Sequence, residues 1–76
     1  MRVESVKVDV AGNIVEIRKD DEVYIKTDGD LSCSGRILAV AVDGNLLDYL
    51  LIEKKAKRLI VYGNAIKSIK VLRSRK

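Results

Sequence analysis

Histidine, tryptophan, phenylalanine, proline and glutamine are all absent from this 76-residue chain, and cysteine occurs once, at Cys33. Without histidine and with one thiol, the common zinc ligand sets cannot be assembled and no intramolecular disulfide can form. The same gap removes the usual general base, so no nucleophile-base pair can be written for Cys33 or for any serine. The chain is therefore not expected to be an enzyme, and no metal or cofactor is implied. With no proline and no linker-like stretch, nothing divides residues 1–76, which are expected to form one domain. The longest apolar run is residues 37–42, too short to span a bilayer. A glutamate stands at position 4, where a signal peptide would be apolar. No secretion and no membrane partner are expected, and the setting is read as cytoplasmic and reducing.

Acidic residues are missing from one stretch entirely. From Lys54 to Lys76 there is no Asp or Glu but nine Lys and Arg, whereas the first 53 residues hold all eleven acids and six bases. The net charge of +4 thus divides into −5 and +9. Clustered Lys and Arg attract polyanions, because cations placed against phosphates release condensed counterions and raise encounter rates. Nucleic acid is the first partner to consider. The competing reading is that Lys54, Lys55, Lys57 and Arg58 form a solvated turn and that residues 73–76, with Arg73, Arg75 and Lys76, form a solvated basic tail.

What is present in abundance is alternation. Apolar residues make up 47% of the chain, and they recur with period two, with no stretch of sustained three-four spacing, so the fold is predicted to be all-β. Val6, Val8 and Val10 alternate with Lys7 and Asp9, and Ala11-Gly12-Asn13 supplies a turn into residues 14–17, predicting an N-terminal hairpin within residues 1–18. Asp20-Asp21 and Asp28-Gly29-Asp30 mark turns around a strand carrying Val23, Ile25 and Thr27. After Gly35, residues 36–42 are apolar on both faces, the signature of a long, bent strand covered twice. Asp43-Gly44-Asn45, the charged residues 54–57 and Gly63-Asn64 separate the remaining strand segments. A chain this short buries only about 60% of its unfolded surface, and it lacks disulfide or metal staples. Oligomerisation is the expected supplement.

Val23-Tyr24-Ile25-Lys26-Thr27, Asp28-Gly29 and Cys33-Ser34-Gly35-Arg36-Ile37 resemble the first motif of the Sm-like proteins, the Lsm and Hfq group. Val61-Tyr62-Gly63-Asn64-Ala65-Ile66 resembles the second. The resemblance covers residues 22–72. It implies a strongly bent five-stranded Sm-like (SH3-like) barrel, preceded here by the hairpin, with protomers pairing edge to edge into a hexameric or heptameric ring. The partner it implies is single-stranded RNA, U-rich strands first, held by two loops, here residues 43–49 and 62–64.

Carried onto this chain, those loops nominate Asp48 (or Asn45, if the loop is aligned one step shorter), Tyr49, Tyr62, Gly63 and Asn64, with the cations named above for phosphates. The chain departs from the pattern. Asp48 stands where an Asn is usual, and Tyr62 where Lsm proteins have Arg, so the pore-side cation is missing. Tyr49 or Tyr62 would supply stacking, generally worth about 1–3 kcal/mol per base. Each nominee also has a structural reading: tyrosines as half-buried core residues with wet hydroxyls, Asn64 as a turn residue, Gly35 and Gly63 as points where a Cβ would obstruct. Cys33 reads as a small core or interface residue. The acids at 20–22, 28 and 30 read as solvated turns rather than a cation site. Two rival functions stay open: a protein-interaction module on the same barrel that has lost its RNA site, and a small β DNA-binding protein.

Overall fold

The computed structural model describes residues 2–10, 12–29, 31–44 and 46–73. In it the alternating segments become β1 (Arg2–Val3), β2 (Ser5–Val10), β3 (Asn13–Arg18), β4 (Glu22–Thr27), β5 (Ser32–Asp43), β6 (Leu46–Lys54), β7 (Lys57–Tyr62) and β8 (Ile66–Arg73). A 3-10 turn, Gly63–Ala65, joins the last two strands. The described chain is all-β, and no helix in it is long and apolar enough to cross a membrane.

Strands β2 and β3 pair antiparallel with Val6 opposite Ile17 and Val8 opposite Val15. Period-two alternation therefore puts Val6, Val8, Val10, Val15 and Ile17 on one face, which joins the core, while Lys7, Asp9, Glu16 and Arg18 face outward. The Asp9 carboxylate accepts the Gly12 N–H at 3.0 Å, and Gly12 has φ +85°, a conformation open to glycine. The hairpin begins at Ser5, later than the sequence suggested. Arg2 and Val3 leave it to pair with Ala41 and Val40 of β5, and the Lys19 N–H fixes the break by donating to the Glu4 carbonyl at 2.8 Å.

The larger sheet runs β7-β6-β5-β4-β8, with β1 also on β5. β5 is its pivot. It pairs with β4 at residues 32–36 and with β6 at residues 36–43. Two register shifts bend the β5–β6 ribbon, one leaving Leu38 unpaired on β5 and one leaving Asp48 unpaired on β6. Gly35 sits at the start of the bend because a methyl group there would strike the Glu53 carbonyl and the Ile52 side chain. In the second half of β5, Ile37, Val40 and Val42 join the central cluster while Ala39 and Ala41 are buried on the opposite face. That double burial explains why alternation breaks down there.

The five expected strands are present as β4 to β8, but among the described residues the sheet does not close into a barrel. β7 and β8 each pair with one neighbour only, because the three-residue 3-10 turn carries the chain from one edge to the other without backbone pairing between them. Ile17, Val23, Ile25, Ile37, Val40, Leu50 and Ile52 are fully buried at the centre, each contributing about 1.5–3 kcal/mol by leaving water.

One expected solvated turn is corrected. Asp21 is 1% exposed, its carboxylate accepts the Arg18 N–H at 3.1 Å, and its carbonyl accepts the Ile37 N–H at 2.9 Å. A buried carboxylate is stable only when hydrogen-bonded, and here it ties the β3–β4 turn into β5.

Candidate nucleic-acid interface

The first loop expected to hold a base, residues 43–49, is shorter than the sequence suggested. β6 already begins at Leu46, paired with Asp43, so only Gly44 and Asn45 separate the strands. Asp48 and Tyr49 lie on a strand, and Asn45 lies outside the described residues. Asp48 is the bulged residue of β6, and a bulge turns its side chain away from the regular alternation. Tyr49 stands opposite Tyr62 across the β6–β7 pair. Gly63 is pressed against the Leu47 carbonyl, where a Cβ would not fit. These contacts bring Asp48, Tyr62 and Asn64 together with Asp43, Leu46 and Leu47 around a cleft of about 180 Å³. Two carboxylates line it and no cation does, an unfavourable setting for a phosphodiester.

The predicted cations are elsewhere. Lys54, Lys55, Lys57 and Arg58 cluster at the β6–β7 turn, six residues along β6 from Asp48, or about 20 Å. Arg58 is opposite Glu53, which also accepts from Arg36 at 3.0 Å. Arg36 is opposite Glu22, and Glu22 is opposite Arg73. One transverse row thus reads Arg58, Glu53, Arg36, Glu22, Arg73, with alternating sign from edge to edge. Arg58 and Arg73 have carboxylates beside them on the sheet, while Arg75 and Lys76 lie outside the described residues. Arg58 shares the outward face of β7 with Tyr62, four residues away, but stands opposite Glu53, and no cation is among the described residues lining the cleft that holds Tyr62.

A face absent from the sequence-level nominations combines an aromatic ring with lysines. Val23 and Ile25 are fully buried, so Tyr24 and Lys26 between and beyond them point outward from β4. Across the sheet, Tyr24 is flanked by Ser34 and Lys70, and Lys26 by Ser32 and Ser68. Tyr24, Lys26, Ser32 and Lys67 line a cleft of about 170 Å³ with Thr27 and Leu31, and no carboxylate is among its described lining residues. The parity of β4 made the outward Tyr24-Lys26 pair readable in the sequence. Lys67 and Lys70 join it only through the β4–β8 pairing, which no local pattern announces.

Cys33, opposite the buried Ile25, is half-buried against the core on the other side of this sheet. Burial pushes its thiol above the ordinary value, and the charge of Lys54 offsets only part of that, leaving it protonated and poorly nucleophilic at neutral pH. Among the described residues, no three Asp, Glu or Cys side chains converge on a point that would hold a metal ion. No family model, no curated protein and no solved structure matches this chain.

Proposed function

We propose that the chain is a non-catalytic, Sm-like, single-stranded RNA-binding protein that works as a homo-oligomeric ring of six or seven copies and holds RNA across the Tyr24 face. The observation that carries the RNA reading is the cleft lined by Tyr24, Lys26, Lys67 and the hydroxyls of Thr27 and Ser32, with Lys70 opposite Tyr24 on β8 and no carboxylate among the described lining residues. Stacking on a tyrosine needs a base splayed from its neighbours, which a single strand offers and a duplex does not. Lys26, Lys67 and Lys70 are positioned to follow the phosphates.

Assembly is supported by the two open edges. On β7, Ile60 is 55% and Tyr62 57% exposed, and β8 has a free backbone edge. An unpaired strand with large apolar residues favours pairing with another chain, and two different free edges on one protomer permit a closed head-to-tail ring. The doubly bulged β5–β6 ribbon and the tight contacts at Gly35 and Gly63 support the Sm-like reading, since they give those two motif glycines steric roles.

The test is a binding titration with a labelled U-rich RNA strand and with duplex RNA and duplex DNA of matched length. Preference for the single strand is expected. Equal or tighter binding to duplex DNA would move the chain to the DNA-binding reading, and weak binding to all three that salt abolishes would favour the interaction module.

A further inference from the structure

The Leu46 end of β6, paired with Asp43 and opposite its basic β6–β7 end, carries a second, chemically different surface. The cleft containing Asp48 shares its lining residues Leu46, Leu47 and Asn64 with a larger one of about 250 Å³ between β2 and the 3-10 turn, and together they outline one groove. Leu46, Leu47 and Ile66 give this groove an apolar lining, and Leu46 is 73% exposed. Its rim carries Asp9, Asp43 and Asp48, and neither cleft is lined by a lysine or arginine. An apolar lining with an acidic rim selects a basic segment that also presents a large apolar side chain.

We propose that this groove docks the segment Leu72-Arg73-Ser74-Arg75-Lys76 of a second copy of the chain. The segment has the required chemistry: Leu72 projects from β8 at 51% exposure and Arg73 is exposed beside it, followed by two further cations and no acid. A protomer cannot fill its own groove with Leu72. Ile66 lines the groove at one end of β8 and Leu72 lies six residues along the same strand, about 20 Å away. The contact is therefore between copies and head to tail, joining the acidic end of one to the basic end of the next. It uses no residue of the Tyr24 face and stands independently of the RNA reading.

The probe is a fluorescein-labelled peptide of residues 71–76 titrated with the full chain and followed by anisotropy. Binding that weakens with salt is expected, as is a loss of about fivefold for Asp43→Asn combined with Asp48→Asn, exposed substitutions that leave the core intact. Leu46→Ala should weaken binding as well. A chain carrying Arg73→Gln, Arg75→Gln and Lys76→Gln, whose own segment no longer competes, should take the peptide more tightly than the natural chain does. No binding by the natural chain, or undiminished binding by the double Asp variant, overturns the proposal. Equal binding of a scrambled peptide of the same composition also overturns the assignment to a second copy, leaving a general site for basic peptides.

Discussion

Tyr49 and Tyr62 stand directly opposite each other on β6 and β7, on the face away from the core that the neighbouring pair Leu50 and Val61 fills. Cross-strand aromatic pairs contribute roughly 0.2–1 kcal/mol beyond alanine, so the pairing by itself accounts for a tyrosine at both positions. A double-mutant cycle with Tyr49→Ala and Tyr62→Ala should give a coupling in that range by denaturant unfolding. If stacking of RNA belongs to Tyr24, Tyr62→Ala should also leave RNA affinity unchanged in the assembled protein. A loss of about 1–3 kcal/mol on Tyr62→Ala would instead return the base to the Asp48 cleft.

Gly35 and Gly63 are predicted to be the least replaceable glycines. A Cβ at Gly35 meets the Glu53 carbonyl, and one at Gly63 meets the Leu47 carbonyl; both obstacles are backbone, which cannot swing aside. Overpacking of this kind costs about 1–3 kcal/mol and at times more. Gly35→Ala and Gly63→Ala should each lower the unfolding midpoint by that measure, whereas Gly29→Ala, with its nearest neighbour at 4.0 Å, should be nearly silent.

The β6–β7 turn stores a removable strain. Lys55 and Ala56 both have positive φ, +50° and +65°, in a two-residue connection between the paired Lys54 and Lys57, the type I′ geometry that favours Asn-Gly. Left-handed backbone costs an ordinary L-residue about 1–2 kcal/mol. Lys55→Asn with Ala56→Gly should raise stability by roughly 1 kcal/mol and leave the fold unchanged; a lower melting temperature would contradict this turn geometry.

Edge pairing predicts a discrete oligomer. Sedimentation velocity and native mass of the natural chain should show six or seven copies, and Ile60→Pro, which removes a backbone donor on the exposed strand, should disperse them. A stable monomer at micromolar concentration would remove the ring and favour the interaction-module account.

Much of the fold was legible because alternation is a local signal. Val6 to Val10, Val23 to Thr27 and the doubly apolar residues 36–42 each announced a strand and its inward face. What the sequence hid was long-range. Arg2 and Val3 look like the start of the hairpin, yet they pair with β5, 37 residues away in sequence at the contact of Val3 with Val40. Asp21 looks like a turn acid, and only the neighbouring Arg18 and Ile37 backbones reveal it as a buried tie. The candidate loops follow from the Sm-like resemblance, which does not show that Leu46 to Tyr49 belong to a strand or that Asp43 and Asp48 line one cleft. Tyr24 stands in the sequence only as a residue of the first motif, with no site role attached. Its lysine neighbours come from β8, and pairing between strands was needed to place them.

The most direct test of the account is the affinity of a U-rich single strand for the natural chain and for Tyr24→Ala, measured across a salt series. Tyr24→Ala should cost about 1–3 kcal/mol per stacked base with an unchanged salt slope, and Tyr24→Phe should keep most of the affinity because the ring face does the stacking. Lys26→Ala with Lys70→Ala should flatten the slope by about 1.4, the share of two phosphates on a single strand. An unchanged affinity in Tyr24→Ala together with an unchanged slope in the lysine variant would contradict the assignment of RNA to this face.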